Sequence, residues 1–253
     1  MFDSDTPGRC QASATSVFGL VLISELFRIR LEWFWYLVQR SFVPLASLAF
    51  LYYLWDDPRS AQFAVTGSLV NTMTTSAMLS LGQYLGHMKD NNAFEHYAAL
   101  PVSRTTFVAA LATRGVLLTL PSLLTVALIG RWALDIPLTP IGLVSLLLGA
   151  YAMSGLGAFM GFWSKDAQTA SLSTQVLATV IIYLSPVYIP LEQLPALFRW
   201  TSVLIPTTYA ASALRLSTAG AGLTALWPDL LALLGFAMVS LFLVPLRLPW
   251  RQA

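Results

Sequence analysis

The chain has 253 residues, of which 57% are hydrophobic and only 10% are charged. Soluble globular domains carry about 25% charged residues, so this composition indicates an integral membrane protein and excludes an ordinary soluble domain. The net charge of +2 gives no indication of nucleic-acid binding. Cys10 is the one cysteine, which excludes an internal disulfide and a cysteine-rich metal site.

The N-terminal part precedes any stretch of spanning length. Residues 1–16 are polar, lack the basic start of a cleaved signal peptide, and are predicted to form a cytosolic tail. Residues 17–35 are predicted to form an amphipathic helix in the membrane interface. Glu25, Arg28 and Glu32 fall on one narrow arc of this helix, and most of the remainder is apolar. The alternative is that this segment extends the first membrane span.

Six stretches of about 20 mostly apolar residues are long enough to cross a bilayer as helices. The predicted spans are residues 36–55, 64–86, 106–130, 141–163, 170–189 and 226–246. With a cytosolic N-terminus, ten of the 14 Lys and Arg residues lie on the cytosolic side. The positive-inside rule therefore predicts that both termini face the cytosol.

The sequence lacks the motifs of several functional classes. Neither Lys89 nor Lys165 follows a glycine, so the phosphate-binding loop of ATPases is absent. His87 and His96 lie nine residues apart, which fits none of the usual zinc patterns. An intramembrane enzyme is disfavoured, because no span is expected to present a His, Asp or Glu suited to acid–base catalysis.

Polar side chains concentrate in the second and fifth predicted spans. Polar groups within lipid usually face a protein interior or a water-filled path. The candidate surfaces of a translocation path are Asn71 and Thr75 in the second span and Ser171, Gln175 and Thr179 in the fifth. Hydrogen bonding between packed helices is the alternative explanation. Such packing is enough to explain a single Ser or Thr, whereas for the amides of Asn71 and Gln175 both explanations stay open.

A proline-punctuated segment, "SPVYIPLEQLPALFRWTSVLIP", follows the fifth span. The pieces between its prolines are apolar but too short to cross a bilayer. Residues 190–216 are therefore predicted to form two half-helices that dip into the outer leaflet and cap a path. The predicted cap residues are Pro190, Glu192, Leu194, Pro195, Arg199, Pro206 and Arg215, the charged ones at a wet rim.

This segment, continued through "TTYAASALR", resembles the signature of type-2 ABC-transporter permeases. In that family an apolar helix ends in a proline, and an acidic residue, a Leu-Pro, a Pro-Leu-Thr-like turn and an Ala-Leu-Arg follow. A second resemblance lies in "NNAFEHYAALPVSRTTF", between the second and third spans. Its matching residues are Glu95, Pro101, Ser103 and Arg104, whereas Asn92, Ala93 and Tyr97 replace the usual Gly, Thr and Leu.

The resemblance implies an all-α integral membrane fold over residues 36–253. It implies six transmembrane helices, an interfacial N-terminal helix and an extracellular re-entrant helix pair between helices 5 and 6. It also implies that the loop after the second span and the N-terminal helix contact the motor subunits. The expected coupling and cytosolic-gate residues are Asp90, Glu95, His96, Tyr97, Pro101, Ser103, Arg104, Glu25, Arg28, Glu32, Lys165 and Asp166.

The function implied is a permease subunit of an ABC exporter without ATPase activity or a bound cofactor of its own. Two permease subunits, as a homodimer or a heterodimer, would pair with two cytosolic ABC ATPase subunits that carry ATP and Mg²⁺. The expected substrate is an amphipathic drug or antibiotic, exported across a bacterial or archaeal plasma membrane. Export of a polysaccharide, teichoic-type polymer or lipid is the main alternative, and a non-transporting scaffold is a further one.

Overall fold

The computed structural model describes residues 19, 23, 38, 41–42, 44–50, 58–91, 104–188, 190–191 and 195–246. Within these residues the regular structure is helical and contains no strand. The helices with defined bounds are α1 (Pro58–Asp90), α2 (Arg104–Leu134), α3 (Pro140–Trp163), α4 (Ala167–Leu184), α5 (Ala196–Ser202), α6 (Pro206–Thr218) and α7 (Leu223–Leu246).

Four of these helices, α2, α3, α4 and α7, are long and apolar enough to cross a membrane. They coincide with the last four predicted spans. Helix α4 ends at Leu184, five residues before the predicted end of its span. Ser185 is extended, with φ −107° and ψ 151°. The physical reason is Pro186, because a residue before proline is disfavoured in the helical region.

Helix α1 contains the second predicted span but is much longer than expected, with 33 residues. Its many hydroxyl and amide side chains make it less apolar than the four helices above. It lies at the centre of the bundle and packs against α2, α3, α4 and α6. Of the first predicted span, residues 44–50 are helical and most of the remainder lies outside the described residues.

Close contact between α1 and α3 depends on glycines. A Cβ placed on Gly157 of α3 would lie 2.2 Å from the carbonyl oxygen of Met78 on α1. A Cβ on Gly161, one turn further on, would lie 2.8 Å from the carbonyl oxygen of Gly82. The two backbones approach to a distance that only glycine permits at these positions.

The two short helices expected after the fifth span are present as α5 and α6. Helix α6 begins with Pro206 as its first residue, where the missing N–H is harmless. It ends at Thr218, and Gly220, two residues further on with a φ of 75°, closes the turn so that the amide of Ala221 donates to the carbonyl of Leu216. The chain then turns back into α7, so α6 and α7 form an antiparallel hairpin.

Candidate functional site

A partly exposed polar stripe runs along α1 beside α4. Asn71, Thr75 and Gln83 lie on one face of α1, at a spacing of four or eight residues. The side-chain amide of Asn71 donates to the Tyr188 hydroxyl at 3.0 Å, and that of Gln83 donates to the Ser171 hydroxyl at 3.0 Å. We call this stripe and its partners on and after α4 the polar seam.

The polar seam contains three of the five residues predicted to line a path, namely Asn71, Thr75 and Ser171. The other two, Gln175 and Thr179, lie on the exposed face of α4. The hydroxyls of Thr75 and Thr179 donate to backbone carbonyls of their own helices, at 2.8 Å and 2.9 Å. These two hydroxyls therefore need no partner on another helix.

One acceptor in the polar seam is unsatisfied. The side-chain oxygen of Asn71 is buried and has no hydrogen-bond partner among the described residues. A buried carbonyl oxygen without a donor costs free energy, so such atoms commonly bind water or a ligand. Tyr188, the partner of the Asn71 amide nitrogen, was not recognised from the sequence. Its one signal is its position at the end of the fifth predicted span.

At the opposite end of α1, Lys89 and Asp90 hold the turn between α3 and α4. The ammonium of Lys89 donates to the carbonyls of Phe162 at 2.5 Å and Ser164 at 2.6 Å. The carboxylate of Asp90 accepts from the amide of Ala167, the first residue of α4, at 3.1 Å. We call this arrangement the clamp.

The charges of the clamp match the helix ends that they contact. A cation is favourable at the carbonyl end of α3, and an anion is favourable at the amide end of α4. Partial burial lowers the pKa of Lys89. Lys89 was not among the residues selected from the sequence, although a basic residue beside Asp90 at a helix end was the available signal.

The turn itself carries Lys165 and Asp166, both exposed as expected for a cytosolic contact. Asp166 is the N-cap of α4, and its carboxylate accepts from the amide of Thr169 at 2.7 Å. This hydrogen bond lowers the pKa of Asp166. Asp166 therefore stabilises α4 from within the turn, whereas Asp90 does so from a different helix.

A second cation, Arg114, is buried between α1 and α2 with 7% of its surface exposed. Its guanidinium carbon lies 4.0 Å from the centre of the Tyr84 ring. A cation over an aromatic face is stabilised by the ring quadrupole. This position agrees with a structural role for Arg114.

At the cap end, Arg215 joins three parts of the chain. Its guanidinium lies 3.9 Å over the ring of Phe63 on α1 and donates to the carbonyl of Val187, in the turn after α4. Gln62 donates to the Thr218 hydroxyl at 2.8 Å and so joins the same two helices. Arg215 was expected at a wet rim, but it is half-buried in this contact.

The remaining cap residues occupy different environments. Arg199 and Pro195 are exposed, Pro190 is half-buried and Pro206 is buried. The hydroxyl of Thr207 donates to that of Ser185 at 2.8 Å, which fixes the start of α6 to the end of α4. The predicted site residues that lie outside the described residues are Glu192, Leu194, Glu25, Arg28, Glu32, Glu95, His96, Tyr97, Pro101 and Ser103. Of Arg104, only the backbone is described, at the start of α2.

One acidic residue within a predicted membrane span was overlooked in the sequence analysis. Asp229 lies within α7 and within the last predicted span, so the expectation that no span presents a suitable acid overlooked it. Among the residues that the structure describes, no group of three His, Cys, Asp or Glu side chains could hold a metal ion.

A helical bundle with four helices long and apolar enough to cross a membrane is the architecture of a multi-pass membrane protein. A comparison with protein families bears this out, because the model of the ABC-2 type transporter family matches residues 17–218. The chain belongs to this family. It is the membrane component of an ABC transporter, a permease that works with an ABC ATPase and is not itself the ATPase. A comparison with individually curated proteins gave no match.

Proposed function

We propose that this chain is the permease subunit of an ATP-driven exporter for an amphipathic small molecule of the drug or antibiotic type. Two copies, as a homodimer, would form the path, and two ABC ATPase subunits carrying ATP and Mg²⁺ would drive it. The observation that carries this proposal is the polar seam, where no donor among the described residues reaches the buried side-chain oxygen of Asn71.

The proposed arrangement has six membrane spans, with both termini in the cytosol of a bacterial or archaeal cell. The clamp then lies on the cytosolic side, and α5 and α6 lie at the outer leaflet as a re-entrant cap. The exposed Lys165 supports this orientation for the α3–α4 turn, because cytosolic loops are rich in Lys and Arg.

The clamp provides a route for coupling. Residues 92–103, which contain the motif around Glu95 and Pro101, follow directly after Lys89 and Asp90. If this loop contacts the ATPase, displacement of the loop pulls on the end of α1 and, through the clamp, on the start of α4. The polar seam lies between these two helices, so its width would follow the state of the motor.

The exposed face of α4 favours a small amphipathic substrate over a polymer. It carries the aliphatic Leu172, Val176 and Val180 and a single aromatic ring, Tyr183, alongside the polar Gln175 and Thr179. A polymer of sugars would be expected to meet a wide track of aromatic rings. An aliphatic face with intermittent amides and hydroxyls suits a molecule with one apolar and one polar part.

The test begins with purification of the chain from its native membrane and identification of a bound ABC ATPase. The complex is then reconstituted in proteoliposomes, and ATPase stimulation and uptake into inverted vesicles are measured with a panel of amphipathic compounds. Recovery of no ATPase, or no stimulation and no uptake with any compound, would contradict the proposal.

A pair of variants separates a path role of Asn71 from a packing role. Asn71→Leu removes both the amide donor and the unsatisfied acceptor, whereas Tyr188→Phe removes the same Asn71–Tyr188 hydrogen bond and keeps the amide. A path role predicts that Asn71→Leu weakens apparent substrate affinity roughly tenfold and that Tyr188→Phe changes it little. Equal losses in both variants would assign Asn71 to packing alone.

A further inference from the structure

Helix α7 carries one carboxylate, Asp229, as its seventh residue. It is the sole acidic residue within the four helices that are long and apolar enough to cross a membrane. Because it lies beyond the first turn, the dipole of the helix N-terminus contributes little to its stability. An ionisable side chain at such a position is costly in lipid and commonly marks a binding site.

Asp229 faces the inside of the hairpin that α6 and α7 form. It lies one turn from Leu226 and one turn from Leu233, both fully buried, and its own surface is partly buried. The side chain of Ser212 on α6 lies next to the carboxylate. The carboxylate therefore lies between two helices and is not directed away from the protein.

Aromatic rings lie deeper in the same hairpin. Phe236 is two turns further along α7 on the face of Asp229, and Tyr209 is one turn before Ser212 on α6. The ring centres of Tyr209 and Phe236 are 5.9 Å apart, at an interplanar angle of 40°. The Asp229 carboxylate near the turn of the hairpin forms the polar part of one surface. The Tyr209–Phe236 pair, further from the turn, forms its apolar part.

The charged residues of the surrounding helices have other partners. Arg215 on α6 lies over Phe63 and donates to the carbonyl of Val187. Helix α3, which packs against both α6 and α7, has no charged residue in its sequence. Arg131 of α2 pairs with Asp135 at 2.9 Å. In the described part of the chain, the polar group next to Asp229 is the hydroxyl of Ser212, which does not neutralise a carboxylate.

We propose that Asp229 and Ser212, together with Tyr209 and Phe236, bind an amphipathic amine. The carboxylate and the hydroxyl receive the ammonium group, and the aromatic pair contacts the apolar part. Asp229, which carries the charge of the site, and Phe236 lie beyond residue 218, where the match to the family ends, whereas Ser212 and Tyr209 lie within the matched range. As the class of the exported molecule, the amine rests on the proposed function; a lipid with an amine headgroup has the same chemistry.

The test measures binding to the purified permease in dodecyl maltoside, without any ATPase. Dodecylammonium is titrated against thermal unfolding, and dodecanol serves as the uncharged ligand of equal chain length. We expect a saturable rise in melting temperature with the amine and none with the alcohol. An equal response to both ligands would overturn the proposal, and this comparison needs no variant.

Variants locate the site. Asp229→Asn keeps the size and the contact with Ser212 but removes the charge, and we expect roughly tenfold to hundredfold weaker amine binding. Asp135→Asn is the matched control, because it removes a carboxylate that already pairs with Arg131. Unchanged binding in Asp229→Asn, or an equal loss in Asp135→Asn, would overturn the proposal.

Added lipids distinguish the two sources of the amine. Competition by phosphatidylethanolamine, but not by phosphatidylglycerol, would assign the site to a lipid headgroup. Amine binding that neither lipid affects would assign it to the exported molecule. Both results support an ammonium site. Absence of an ATPase partner would contradict the proposed function and leave amine binding untouched, so the two failures are distinguishable.

Discussion

The ammonium of Lys89 lies 2.5 Å from the carbonyl oxygen of Phe162, which joins the last turn of α1 to the last turn of α3. The adjacent Asp90 reaches across to the first amide of α4. Two neighbouring residues of one helix thus hold the end of a second helix and the start of a third. The predictions below follow from this relationship and from comparable contacts elsewhere in the bundle.

Breaking the clamp should uncouple ATP hydrolysis from transport. In the reconstituted complex, we expect Asp90→Asn and Lys89→Met to keep basal ATPase activity but to lose substrate-stimulated uptake. The physical reason is that α1 no longer pulls on the start of α4. The measurement is the ratio of substrate transported to ATP hydrolysed, which a defect in folding alone would not lower.

Asp166→Asn is the matched control for the clamp. It weakens the N-cap of the same helix only slightly, because Asn is itself a good cap, and it leaves the α1 contact intact. We expect normal coupling in this variant. Loss of coupling in Asp166→Asn equal to that in Asp90→Asn would show that the stability of α4, not its link to α1, matters.

Acidic pH should weaken the start of α4. The backbone hydrogen bond to Thr169 lowers the pKa of Asp166 in the folded state. Its contribution to stability is therefore present above the unfolded pKa of about 3.9 and is lost as pH falls through the lower folded value. The protection factor of the Thr169 amide against hydrogen exchange, which corrects for the intrinsic pH dependence of the exchange rate, should fall over this acidic range in the wild type, and Asp166→Asn should remove that dependence.

A methyl group between α1 and α3 should destabilise the bundle. Gly157→Ala would place its Cβ 2.2 Å from the Met78 carbonyl, so the helices must separate, at a cost of roughly 1–3 kcal/mol. Gly235→Ala on α7 is the control, because a Cβ there meets no atom within 4 Å. We expect thermal unfolding to show a lower melting temperature for the first variant and an equal or higher one for the second.

Arg215 should be irreplaceable by lysine at the cap. The guanidinium stacks on Phe63 as a plane and also donates to the carbonyl of Val187, which a lysine ammonium cannot do in the same geometry. Arg215→Lys should therefore lower the melting temperature nearly as much as Arg215→Ala. The exposed Arg199 serves as control, and Arg199→Ala should have little effect. Full stability of Arg215→Lys would contradict the stacking role.

Much of the bundle could be predicted from the sequence because apolar length and proline positions are local properties. The end of α4 before Pro186 and the start of α6 at Pro206 follow from the missing N–H and the restricted backbone of proline and its neighbour. Family membership was equally readable, since its motifs are contiguous.

The functional contacts were less predictable because they join residues distant in sequence. Asn71 was selected for its amide, but its partner Tyr188 is 117 residues away. Arg215 was assigned to a wet rim from its charge, whereas Phe63 and the Val187 carbonyl provide it with a half-buried position. Asp229 was overlooked because a single acid does little to the apolarity of a long helix.

The length of α1 has a consequence for how the bundle can move. Its 33 residues extend about 50 Å, against roughly 30 Å for the hydrocarbon core of a bilayer. In the proposed six-span arrangement, a stiff rod of this length must lean or project, and it carries the Phe63 contact near one end and the clamp at the other. Rocking such a rod about its midpoint moves its tips in opposite directions. One face of the membrane can then close while the other opens, without a hinge inside the helix.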